Sequence, residues 1–127
     1  MNDEAQVLRA HDSAALAQVL AELERTDSTQ VVLLTVPSTN GEPIERFALQ
    51  VARENGIGQA GANNGALVVV AVNDRKMRIE VGSGLEGRLT DALSSQIIRH
   101  EMAPRMKAGD VSGGARAGVE AVVKAIR

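Results

Sequence analysis

The sequence predicts an α/β fold, a small mixed sheet with helices on both faces, and three stretches of the chain carry that reading. Residues 30–36 and 66–72 are continuous β-branched and leucine-rich runs, the signature of strands buried on both faces. Between them lies an amphipathic helical repeat, and a strand–helix–strand unit normally closes a parallel pair through a right-handed crossover. Directly afterwards, Lys76, Arg78 and Glu80 alternate with Met77, Ile79 and Val81, a strand that returns antiparallel with a charged face suited to a sheet edge.

Each remaining element follows from local chemistry. Asp12 is placed to cap a first helix in which Leu16, Val19, Leu20 and Leu23 form one apolar stripe. Pro37 ends the first buried strand. Pro43 suits the first turn of a second helix carrying Ile44, Phe47, Ala48, Val51 and Ala52, and Asn55 with Gly56 supplies its left-handed stop. Residues 56–65 form a loop rich in glycine and asparagine, and Asn73 with Asp74 make the turn between the last two strands. Thr90 and Asp91 open a third helix that runs through Met102 and breaks near Pro104, and residues 112–127 form a fourth with Ala115, Val119, Val122, Val123 and Ile126 inward. Residues 1–127 read as one domain, without repeat or linker.

Composition removes several classes of function. Fourteen basic residues against sixteen acidic ones, with Phe47 as the sole aromatic, leave neither the basic excess nor the stacking platforms of a nucleic-acid binder. There is no cysteine, so no disulfide, thiolate metal site or cysteine nucleophile exists. The longest apolar run is too short to cross a bilayer, and the N-terminus lacks a signal-peptide pattern, so the chain as it stands reads as soluble. His11 and His100 stand without a partner at metal-ligand spacing, and Ser83 lies in no nucleophile elbow.

Gly82, Gly84 and Gly87 match G-x-G-x-x-G between a strand and a helix. Dinucleotide binding nevertheless fails on physics, because the helix cap falls at Thr90, after the glycines, and Glu86 sets a carboxylate where phosphates would lie. One reading of this loop is structural: glycines at positive φ make a tight turn, Leu85 plugs the core and Asp91 complements the helix dipole. The other is functional: Glu86 and Asp91, with Asn63 or Asn64, offer hard oxygen ligands to Ca²⁺ or Mg²⁺.

The topology places a second candidate at the opposite end of the sheet, where the loops 37–42, 73–75 and 105–110 converge. There Asp74 and Asp110, with Ser38, Glu101 and Arg75 nearby, form an acidic crevice at the carboxyl ends of the parallel strands, the usual ligand position in open α/β sheets. The plainer reading makes Asp74 a turn former and Asp110 a residue near a helix cap.

The run Arg78-Ile79-Glu80-Val81-Gly82-Ser83-Gly84-Leu85-Glu86-Gly87, with Thr90-Asp91 beyond it, resembles the TPM domain family, and the likeness covers nearly the whole chain. Supporting segments are Asn2-Asp3-Glu4-Ala5, Asn64-Gly65, Asp74-Arg75-Lys76, Pro104 and Gly109-Asp110. The resemblance implies a three-layer α/β/α sandwich, divalent-cation binding as in some members, and the acid phosphatase activity proposed for a plant relative. It also implies the cell envelope, periplasmic or extracytoplasmic, a membrane protein complex as partner, and a full-length protein anchored in the membrane. On that basis Met1 before Asn2-Asp3 reads as an engineered start, and the chain as a soluble fragment of a larger envelope protein. The expected function is a cation-binding interaction module that helps assemble or maintain such complexes. The alternative is a metal-dependent phosphatase in which Asp74, Asp110, Glu86 or Asp91 hold the ion and Arg75 or Arg88 steadies phosphate charge.

Overall fold

The sheet has four strands in chain order: β1 (Asn2–Asp3), β2 (Gln30–Val36), β3 (Gly65–Ala71) and β4 (Lys76–Val81). The first three are mutually parallel and β4 returns antiparallel along β3. The structure, a computed structural model, describes residues 1–27, 29–57 and 64–127. The expected strand pair and its return are present, but β1 adds a fourth strand. Two residues have no periodicity to detect. A side chain reinforces their parallel pairing with β2: the Thr35 hydroxyl donates to Asp3 Oδ1 at 2.5 Å, while the amides of Val7 and Leu8 donate to the same carboxylate. Burial pushes the Asp3 carboxyl up, but the Thr35 hydroxyl and these amides outweigh it and hold the group below its ordinary value.

Successive residues of β2 and β3 face opposite sides, and both sides are covered. Val31, Leu33, Ala66, Val68 and Val70, with Ile79 of β4, face the larger core under α1 (Ala10–Asp27) and α5 (Val111–Ile126). Leu34, Val36, Leu67, Val69 and Ala71 face α2 (Ile44–Glu54) through Ile44, Ala48 and Ala52. This is the expected three-layer α/β/α arrangement. Gly56 lies at φ +69°, the left-handed stop expected after α2.

Two local readings need correction. First, the helix opened by Thr90 does not break at Pro104. It runs as α3 (Asp91–Gln96), widens into a π-helical stretch (Ile97–Met102), and continues as α4 (Ala103–Lys107) with Pro104 in its first turn. Pro104 has no N–H to donate, and it falls where the hydrogen-bond register changes, one residue after the Ala103 amide donates to the Ile98 carbonyl. The wide stretch also delivers Met102 into a notch on α5: a Cβ built on Gly118 would lie 2.5 Å from the Met102 sulfur. Second, the Gly82–Gly87 loop uses no positive φ. It forms a short 3₁₀ turn (Ser83–Leu85), entered by Gly82 at φ −67°, and the positive-φ glycines among the described residues are Gly41, Gly56 and Gly109. Leu85 does fill the core, fully buried as expected.

Candidate functional site

The carboxyl ends of β2 and β3 bring the 37–42 loop against the turn that joins β3 to β4. The Asp74 carboxylate is the post around which this loop winds. Ser38 Oγ lies 2.9 and 3.1 Å from its two oxygens, the Thr39 amide donates to Oδ2 at 2.9 Å, and the Thr39 hydroxyl donates to the Glu42 carbonyl at 2.7 Å. The Thr39 amide first, and then the Ser38 hydroxyl, hold the Asp74 carboxyl below its ordinary value; Lys76 adds to this by its charge. Asp74 is therefore more than a turn former, since it orders a loop thirty-five residues away in sequence. It opens onto a cleft of about 640 Å³ that also carries Glu42, Glu45 and Lys76.

Asp110 lies at the same end but is otherwise engaged. It caps α5 by accepting from the Gly113 amide at 2.9 Å, and Arg9 Nη2 approaches it at the same distance. Behind it sits a network that the sequence reading misplaced. Asp12 is not the cap of α1; it lies within the first turn, 2% exposed, and accepts from Ser112 Oγ at 2.6 Å and Arg116 Nη1 at 3.0 Å. The Ser112 hydroxyl foremost, opposed by burial and aided by Arg116, lowers the Asp12 carboxyl to about 2. Asp12 stands four residues before Leu16 on the apolar stripe of α1, and that position was the legible sign of burial. Glu101 sits in the π-helical stretch, where its carbonyl accepts from Arg105.

At the other end of the sheet, Glu86 and Asp91 are exposed on either side of the Thr90 cap, whose hydroxyl accepts from the Leu93 amide at 3.1 Å. Arg88 is occupied structurally: it donates to the Ile126 carbonyl at 2.8 Å and lies 3.5 Å from Asp27. The Asn64 carbonyl accepts from the Gln30 amide, and Asn63 lies outside the described residues. Within the glycines the chain makes only the 3₁₀ turn Ser83–Leu85, and the α-helix begins later, at Asp91.

The expected ligands thus fall at two ends of the sheet. Among the described residues no three His, Cys, Asp or Glu side chains are grouped to hold a metal ion. A closed protein cage for Ca²⁺ does not fit this donor set. One fixed carboxylate with two glutamates on the rim of the same cleft fits a cation that keeps much of its water, as Mg²⁺ commonly does.

Helices on both faces of a mixed four-stranded sheet, with two clefts at the carboxyl ends of the parallel strands, define an α/β/α sandwich domain. More particularly, the chain belongs to the TPM domain family, whose model matches residues 1–125. It is similar to the N-terminal domain of a P. gingivalis protein solved by NMR, at 35% identity and a TM-score of 0.90, over 98% of this chain and 79% of that one. The BA42 protein of Bizionia argentinensis shares the fold at 22% identity and TM-score 0.76, covering 95% of this chain and 82% of its own. So does the N-terminal domain of cg2496 from Corynebacterium glutamicum, at 18% and 0.74, covering 99% and 78%. No curated protein matches the chain.

Proposed function

We propose that this domain is a divalent-cation-binding interaction module that supports assembly or maintenance of membrane protein complexes in the cell envelope. The observation that carries the cation reading is Asp74: a carboxylate held ionised by the Thr39 amide and the Ser38 hydroxyl, facing a cleft it shares with Glu42 and Glu45. A pre-ordered anion at the mouth of a cleft attracts a hard cation, and the 37–42 loop is the element such an ion would stiffen. The envelope setting and the membrane-complex partner rest on the family. No helix among the described residues is long and apolar enough to cross a membrane.

Calorimetric titration with CaCl₂ and MgCl₂ tests the reading. Heat and a thermal shift are expected with at least one ion, and both should vanish in Asp74→Asn. Neither heat nor shift with either ion removes the cation claim.

A metal-dependent phosphatase is the second reading, favoured by Asp74 and Arg75 standing in sequence at the mouths of two adjoining clefts. It requires steady-state phosphoester hydrolysis that falls in Asp74→Asn. Activity indifferent to that change and to Asp110→Asn, Glu86→Gln and Asp91→Asn would dispose of it.

A further inference from the structure

On the other side of the 73–75 turn, between β4 and α4, lies an adjoining cleft of about 450 Å³ that shares Lys76 and Met77 with the first. Its floor is apolar, with Val72, Met77 and Met106 half-buried there, and its charged lining residues are Arg75, Lys76 and Lys107. No carboxylate lines it. Among the described residues none of these three cations takes part in an ion pair within 4.0 Å, although Lys76 also acts on Asp74 through its charge. In a chain of net charge −2, this is a local concentration of positive charge around an apolar slot, offset at Lys76 by Asp74 but not paired at Arg75 or Lys107.

The backbone supplies an independent sign. Arg75 sits at φ +56° in the turn closed by its amide on the Val72 carbonyl at 3.2 Å. Glycine or asparagine is the ordinary occupant of such a left-handed position, and an arginine there carries strain. Strain kept at a residue that rims a cleft is a motive to look for a role in that cleft.

We propose that this cleft binds a segment of a partner protein in which acidic residues alternate with aliphatic ones. The inference rests on reading the domain as an interaction module. Aliphatic side chains would enter the slot, where the methionines adapt to their shape. The flanking carboxylates would meet Arg75 and Lys107 as charge-assisted pairs. A membrane surface is the poorer occupant, because Met1 is the sole exposed large hydrophobic residue among those described and no apolar prominence flanks the cleft for insertion.

The test is fluorescence polarisation with a labelled heptapeptide of alternating leucine and glutamate, against its leucine–lysine counterpart. The acidic peptide is expected to bind, to weaken as salt is raised, and to lose roughly tenfold in affinity in Arg75→Gly and again in Lys107→Ala. Arg75→Gly is a clean variant, since glycine relieves the positive φ and the melting temperature should hold or rise. No binding of the acidic peptide, equal binding of the basic one, indifference to both substitutions, or displacement by inorganic phosphate or phosphatidylglycerol vesicles would each overturn the proposal. The parent domain also separates the two claims. Peptide binding without a cation response sinks the cation reading alone, and a cation response without peptide binding sinks the cleft alone.

Discussion

The two ends of the sheet carry similar numbers of candidate acids but hold them differently. At the carboxyl end, Asp74 is fixed by donors of the 37–42 loop, and Asp110 by the Gly113 amide of the helix it caps and an ion pair with Arg9. At the opposite end, Glu86 and Asp91 stand exposed beside a 3₁₀ turn, and the neighbouring cation Arg88 is tied to Ile126 and Asp27. A charge becomes a candidate ligand when the fold pays for its placement, and only the carboxyl end does this around a cleft. The glycine-rich loop seats Leu85 in the core.

The largest effect that bears on this contrast is structural. Asp12→Ala should destabilise the domain by about 3 kcal/mol in urea unfolding, because the buried Ser112 hydroxyl loses its acceptor while Arg116 and Arg9 each lose one of two carboxylate partners. Its pH signature has a definite sign. The folded carboxyl is lowered to about 2, beneath an unfolded value of about 3.9, so its contribution is complete above about pH 4 and is lost as pH falls towards 2. A parent protein whose unfolding free energy stays level across that window would contradict the assignment.

Next comes Leu85→Ala, expected to cost about 3 kcal/mol through a cavity in the larger core. A loss well under 1 kcal/mol, measured in the same way, would mean that the glycine loop is not a core plug. The smallest effects should come from Glu86→Gln and Asp91→Asn, each within about 0.5 kcal/mol of the parent by thermal unfolding. Neither should alter a cation titration. A lost cation response in either variant would reverse the ranking of the two ends.

Much of the fold was legible because its central strands are aliphatic on both faces and its helices carry single apolar stripes. Residues 30–36 were placed to the residue, and 66–72 within one position. The end of the sheet to which each loop belongs followed from topology alone. Other features left weaker traces. β1 is fixed by pairing with β2 and by bonds between Asp3, Ala5 and Thr35 across some thirty positions, and Met102 of the π-helical stretch packs at Gly118 of another helix. Local propensity records neither. The candidate site is half legible: the sequence offers Asp74 and Ser38, but Thr39, Glu42 and Glu45 join Asp74 only because the 37–42 loop folds back onto it, which is a tertiary fact. Asp12 was misread as a cap because aspartate near a helix start has that ordinary role, although its place on the apolar stripe pointed inward.

The most direct measurement is the set of backbone amide shifts of the domain during titration with Ca²⁺ and with Mg²⁺. Shifts concentrated in residues 37–42 and 73–75, with the 82–91 segment unmoved, are the expected result. Shifts confined to 82–91, or none anywhere with either ion, would contradict the assignment of the cation to Asp74.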